Sequence, residues 1–290
     1  MFFIGSLKSL KQTLSFKYTP KNGINMLSIR KAAVAGQFYP DDPLQLQETI
    51  AGLLSEAYSS EINNVQPKAI IVPHAGYIYS GLAAASAFAS LLPFREKITR
   101  VVLLGPSHRV GFNGLAVSSA DYFQTPLGNI RIEKDSIDHI LSLPQVSSID
   151  EAHQFEHSLE VELPFLQEVL DDFSLIPIVV GDVGSQPVSE VLELLWGSEE
   201  TLIVISSDLS HFHDYKNAQQ CDKATCQSIE NLSPELIGYD DACGRNPIKG
   251  LLVSAHKHNL TVTTLALCNS GDTAGDKDRV VGYGAWVLKH

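Results

Sequence analysis

Short aliphatic runs alternate with amphipathic stretches along this chain. The runs are KAIIV (68–72), RVVLLG (100–105), LAVS (115–118), SLIPIVVG (174–181), TLIVIS (201–206), TVTTLAL (261–267) and VVGYGAWVL (280–288). Between them lie helix-like segments such as PLQLQETIAGLLSEAY, GLAAASAFASLL, SLEVELPFLQEVL, PVSEVLELLW and PIKGLLVSAHKHN. Such alternation builds βαβ units, whose strands are buried on both faces and read as continuous apolar text. It predicts one α/β domain over 26–290, with a central, mostly parallel sheet flanked by helices. Asp42 before Pro43 and Asn246 before Pro247 have the pattern of an N-cap followed by a first-turn proline. Pro164 falls inside a helical pattern and is expected to kink it. No apolar run approaches the roughly 20 residues of a membrane span, so no membrane association is expected.

Three aliphatic runs end abruptly in polar, small-residue text: AIIV in PHAGY, VVLLG in PSHRVG, and LIVIS in SDLSHFH. In an open α/β sheet, ligands bind outside the carboxyl ends of the strands, where loops converge on a rigid base. This predicts one concavity containing His74, His108, Asp208 and His211. A histidine in a loop is ordinarily just hydrogen-bonded or solvated; several at neighbouring strand ends point to a site. Gly76, Gly81 and Gly105 suit close backbone approach to a bound group.

Cys243, in CGRNP, precedes an expected helix N-terminus, where the helix dipole favours thiolate. That makes it a candidate ligand or nucleophile, against the alternative of a small buried apolar residue. The stretch HQFEHSLEVE places His153, Glu156, His157 and Glu160 at the start of another helix. It lacks the HExxH zinc spacing and could supply groups that orient ligands. Cys221 and Cys226, in one helix, read as structural, and His256 and His258 suit a helix C-terminus.

Charge narrows the partners. The opening 25 residues contain four lysines and no acid, and without them 17 of the 21 basic residues stand against 33 acidic ones. An anionic body repels phosphate backbones, which argues against nucleic acid. The opening lacks the apolar core and cleavage site of a secretory signal. Residues 1–25 are therefore expected to be a disordered or non-native tail. Four cysteines with no CxxC pair suit a reducing cytoplasm. AGYIYSGLAAASAF has neither GxGxxG nor the Lys-Ser/Thr ending of a phosphate loop, so no nucleotide cofactor is expected; no GxSxG elbow occurs either.

The motifs AGQFYP (35–40), VPHAGYIYSG (72–81), LLGPSHRVGFNGLAVSSADYFQTPLGNIRI (103–132), EHSLEVELPFLQ (156–167), ISSDLSHF (205–212), CGRNPI (243–248) and SGDTAGDKDRVVGYGAW (270–286) follow one another in an order that resembles the Memo family. That family is the protein B component of the AmmeMemoRadiSam grouping, and the resemblance covers about residues 30–288. It implies a fold related to class III extradiol dioxygenases. It also implies metal ligands at His74, His108 and Cys243, with Asp208 and His211 beside them. Iron extradiol enzymes use two histidines and a carboxylate. A thiolate in the third place is softer and widens the metals to iron, copper or zinc, so ring cleavage is not inherited from the fold.

Several functions remain open at this point. One is a metal enzyme acting on oxygen and a small organic molecule, with His211 as acid or base and Asp208 fixing its tautomer. Another is a non-catalytic metal-handling or redox adaptor working with AMMECR-type and radical SAM proteins, the partners that the resemblance implies. A third is a metal-free hydrolase with Cys243 as nucleophile. The weakest is a peptide cleft built from Tyr77, Tyr79, Phe112 and Tyr122.

Overall fold

A computed structural model describes residues 27–57 and 65–290; the expected tail, residues 1–25, lies outside the described residues. The strands are β1 (Ile29–Arg30), β2 (Ala69–Val72), β3 (Arg100–Pro106), β4 (Leu115–Val117), β5 (Tyr122–Thr125), β6 (Gly128–Arg131), β7 (Val146–Ser148), β8 (Ser174–Val180), β9 (Thr201–Ser206), β10 (His211–His213), β11 (Thr261–Asn269) and β12 (Val280–Lys289). The helices are α1 (Pro43–Ala57), α2 (Tyr77–Phe88), α3 (Lys134–Ile140), α4 (Asp150–Gln154), α5 (Leu163–Val169), α6 (Ser185–Leu195), α7 (Tyr215–Glu230) and α8 (Arg245–Lys257).

Nine strands form the main sheet, in the order β10-β12-β2-β9-β3-β8-β4-β7, with β11 paired to β12. Its centre, β2-β9-β3-β8, is parallel. The register sets Ile71 beside Ile205, Leu104 beside Ile205, and Val102 beside Ile176. Every residue of β2, β8 and β9 is buried, because helices cover both faces. α1 turns Leu46, Ile50 and Leu54, four residues apart, toward α2 and α5. α6 buries Val188, Val191, Leu192 and Leu195 and packs on α8. Antiparallel strands complete the sheet on both sides, and β1, β5 and β6 make a small second sheet.

The expected single α/β domain with a mostly parallel centre and flanking helices is therefore present, and all seven aliphatic runs are strands. Helix starts differ from expectation. A 3-10 turn, Glu160–Glu162, precedes α5, so Pro164 sits in the first turn of a helix and kinks nothing. Asp42 caps α1 by accepting from the Gln45 amide. Asn246, however, lies inside α8, whose N-cap is Gly244, and its side-chain amide donates to the Gly181 carbonyl. The stretch Tyr77–Phe94 has the length and mean hydropathy of a membrane span, yet 61% of it is buried within the fold, as befits a core helix.

Candidate metal centre

The parallel register brings three strand ends level. The Ser207 amide donates to the Val72 carbonyl, extending the β2–β9 ladder one residue past β9. One step further, Asp208 Oδ1 accepts from the His74 backbone amide at 2.8 Å. β3 ends at Pro106, which sets His108 on the same rim. β12 pairs through Trp286–Leu288 with β2 and through Val280 and Val281 with β10, so β10 and His211 continue beyond the end of β2.

Three imidazoles meet there. Each of His74, His108 and His157 can offer a ring nitrogen within 4.8 Å of the others'. Ring centroids lie 5.2 Å apart for His74 and His108, and 4.5 Å for His108 and His157. His74 is buried, whereas the His108 side chain is 28% exposed and faces the mouth.

The second nitrogen of two rings is already engaged. His108 Nδ1 lies 2.9 Å from Glu156 Oε1, and the His108 amide donates to Glu156 Oε2 at 2.6 Å. A carboxylate accepts only, so Nδ1 carries the proton and Nε2 keeps its lone pair. His74 Nδ1 lies 2.7 Å from Ser206 Oγ, whose own proton goes to the Ser158 carbonyl at 2.6 Å. His74 Nδ1 is then the donor to Ser206, which leaves its Nε2 unprotonated as well. His157 Nδ1 is buried without a hydrogen-bond partner, 3.3 Å from Glu156 Oε1 but out of alignment.

Burial pushes the His74 pKa well below the usual histidine value, helped by the neighbouring His108, His157 and His211. Burial, then His108, brings His157 down to about 4. The His74 and His157 rings are therefore neutral at pH 7. Converging neutral imidazole lone pairs, with an orphaned nitrogen beside them, fit a cation.

Cys243 stands against this group, with Sγ 3.4 Å from His74 Nε2 and accepting from the Asp208 amide at 3.3 Å. Gly244 makes that approach possible: a Cβ there would meet Ser207 Cβ at 2.5 Å. The expected thiolate is not supported. Burial pushes the Cys243 thiol far above its usual range, and the Asp208 charge adds to it. These outweigh the helix start, so without a cation the residue is a thiol.

Asp208 is buried, and burial raises its carboxyl to about 6. Its hydrogen bond goes to the His74 backbone. The sequence suggests that Asp208 fixes the His211 tautomer, but the Leu209 carbonyl does this instead, 2.8 Å from His211 Nδ1. His211 Nε2 is thereby left as an acceptor. The next residue, Phe212, has φ 64° at the β10–β12 register shift, an uncommon conformation for an aromatic residue that turns His211 relative to the strand.

The sequence suggests an orienting role for His157, yet it stands in the cluster itself. α4 ends at Gln154, and the turn after it presents Glu156 and His157 side by side. A buried network pins this turn from below. Arg30 pairs with Glu160 and donates to the carbonyls of His153 and Glu156; Glu160 also accepts from Tyr39 and the amides of Ala33 and Val34. Gly105 lets the turn close, since a Cβ there would meet Ser158 Oγ at 2.8 Å. Gly105 thus serves chain packing rather than a bound group, and Gly81 likewise faces Leu53.

A cavity of about 610 Å³ opens beside Cys243, walled by Phe112, Tyr239, Arg245, Asn246 and Asp182. Another, of about 490 Å³, lies between Ser28–Ala33 and the α4 segment and contains none of the clustered donors.

The sequence comparisons agree with one another. The family model described as "Memo-like protein" matches residues 30–287. A "MEMO1 family protein" of Methanobrevibacter smithii is 34% identical over 285 residues, covering 90% of this chain and 100% of the relative. A "MEMO1 family protein" of Aquifex aeolicus is 36% identical over 268 residues, covering 89% and 98%. Among solved structures, the uncharacterized protein JW3007 from Escherichia coli K12 aligns with a TM-score of 0.49 and 11% identity, over 75% of this chain and 98% of that one.

Proposed function

We propose, from the premise that this chain belongs to the Memo-like protein family, that it binds one iron or copper ion and uses it to oxidise a small organic molecule. The observation that supports this best is the convergence of His74, His108 and His157 within 4.8 Å, with the far nitrogens of the first two held by Ser206 and Glu156. His74 and His108 are the proposed ligands, with Cys243 as the third. His157 is a further donor within reach. Zinc would suit the same donors, but a thiolate beside imidazoles also accepts redox-active ions.

Such an ion, when bound, supplies redox capacity and Lewis acidity toward oxygen or substrate. The remaining roles belong to the chain. Glu156 and Ser206 hold each imidazole in the tautomer that leaves Nε2 available. A cation beside Cys243 favours the thiolate that burial otherwise suppresses. His211, with Nδ1–H committed to Leu209, offers Nε2 as a proton acceptor at the rim. Asp208 positions the His74 backbone. The same raised thiol makes a metal-free Cys243 nucleophile the poorer account.

Anaerobic purification of untagged protein, followed by elemental analysis and absorption spectroscopy, tests the proposal. Near-stoichiometric iron or copper with a thiolate-to-metal band that disappears in Cys243→Ser is the expected result. Occupancy of a few per cent, equal in His74→Ala, would end it. The exposure of His108 at the mouth also suits an adaptor that passes metal to AMMECR-type or radical SAM partners. Tight metal binding with no oxygen uptake on any small substrate would favour that role.

A further inference from the structure

Arg245 is a half-buried cation. Among the described residues its guanidinium takes part in no ion pair and donates no hydrogen bond to protein, unlike Arg30, Arg95 and Arg100, which all have acceptors. Its Cζ lies 3.9 Å from the centroid of the Tyr239 ring. An aromatic platform under a guanidinium's face holds it in place while its N–H donors, at the edge, stay free. Donors held at the edge and left unused by protein are available to an anion.

The position of Arg245 says which anion. It lines the cavity of about 610 Å³ that also contains Cys243 and Ser107, the residue before His108. That volume suits a small molecule. A ligand held by Arg245 therefore lies beside the proposed metal centre. Asp182 lines the same cavity without pairing to Arg245, so the pocket pairs one free cation with one acid. The nearby acid repels a dianionic phosphate more strongly than a single negative charge. Guanidinium also matches a planar carboxylate with two parallel hydrogen bonds. Phe112 and Tyr239 supply apolar walls for the remainder of the molecule.

We infer that the substrate of the proposed centre is a small molecule bearing a carboxylate, which Arg245 holds in the cavity next to Cys243. This rests on the metal reading above. In this role Arg245 is a specificity residue that decides which molecules reach the ion.

Calorimetric titration of the full chain, loaded with Fe(II) under argon, tests the inference. The probes are acetate, succinate and benzoate, each beside its neutral amide, with inorganic phosphate as a further arm. At least one acid should bind tenfold or more tightly than its amide, and Arg245→Met should abolish that preference while metal content stays unchanged. Arg245→Lys, which keeps the charge but not the fork, should show an intermediate preference, and it serves alone if a thermal melt shows Arg245→Met unfolded. Acids that bind no better than amides, a preference that survives the substitution, or phosphate binding tighter than every acid would overturn the assignment. A preference for acids in protein that retains no metal would instead defeat the metal reading.

Discussion

Glu156 grips His108 at two points: one carboxylate oxygen is 2.9 Å from the ring Nδ1, and the other is 2.6 Å from the backbone nitrogen of the same residue. Burial works to raise the Glu156 pKa, but the bonds from His108 outweigh it and hold the carboxyl down at about 2. Glu156 is therefore a carboxylate at any working pH, and the His108 ring has one orientation and one tautomer. The carboxylate behind the ring sets how well the ring can serve a metal.

Glu156→Gln should weaken metal binding by about 10- to 100-fold, the usual cost of removing a carboxylate behind a ligand histidine. Competition against a chelator of known affinity measures it. His139→Gln, at an exposed site on α3, is the control and should change nothing. Equal affinities for Glu156→Gln and the parent protein would mean that His108 is not a ligand.

Metal-free protein should lose stability as pH falls from 6.5 toward 4. Burial brings the His153 pKa from 6.5 down to about 4. In that window the unfolded chain binds a proton that the folded one refuses, so stability is complete above 6.5 and declines below it. At 1.36 kcal/mol per pKa unit, His153 accounts for about 3 kcal/mol. Urea unfolding at pH 7, 5.5 and 4 should show a shallower pH slope for His153→Gln; an unchanged slope would contradict this.

Cys243 should react slowly with iodoacetamide at pH 7.5 in metal-free protein, more slowly than an ordinary accessible thiol although it lines a cavity, because its raised pKa leaves little thiolate. Mass spectrometry of the labelled peptide provides the rate. Rapid alkylation would revive a nucleophilic role.

Breaking the buried Arg30–Glu160 pair from one side should cost about 3–5 kcal/mol, since Arg30→Met leaves a carboxylate unpaired in the interior. The double variant Arg30→Met/Glu160→Gln should cost less. Denaturant midpoints give the stabilities, and a double variant as damaged as the sum of its parts would show no coupling. Both variants should also weaken metal binding, because Arg30 holds the Glu156 carbonyl.

The chain's own text fixed the frame of this molecule. Aliphatic runs such as AIIV and TLIVIS have no partner for their surface except a covered parallel sheet, and a sheet so built gathers the residues at its strand ends. His74, His108, Asp208 and His211 were legible for that reason. Short, half-buried strands such as β5 and β6 carry too little apolar pattern to stand out, and the start of α8 was misplaced because a proline is tolerated anywhere in a helix's first turn.

Tertiary contact decided the rest. His157 and Cys243 lie 86 residues apart in sequence, and each comes beside His74 through a close approach at a glycine, Gly105 for the turn carrying His157 and Gly244 for Cys243. Whether Cys243 is thiol or thiolate depends on desolvation and on Asp208, which a neighbouring helix start cannot reveal. The tautomer of His211 went to a carbonyl two residues away rather than to the carboxylate that sequence suggested. Periodicity records which surface must be buried, and from that the layers follow. Protonation and hydrogen-bond direction depend on distances of a few ångströms between groups far apart in the chain, which exist only once the layers have closed.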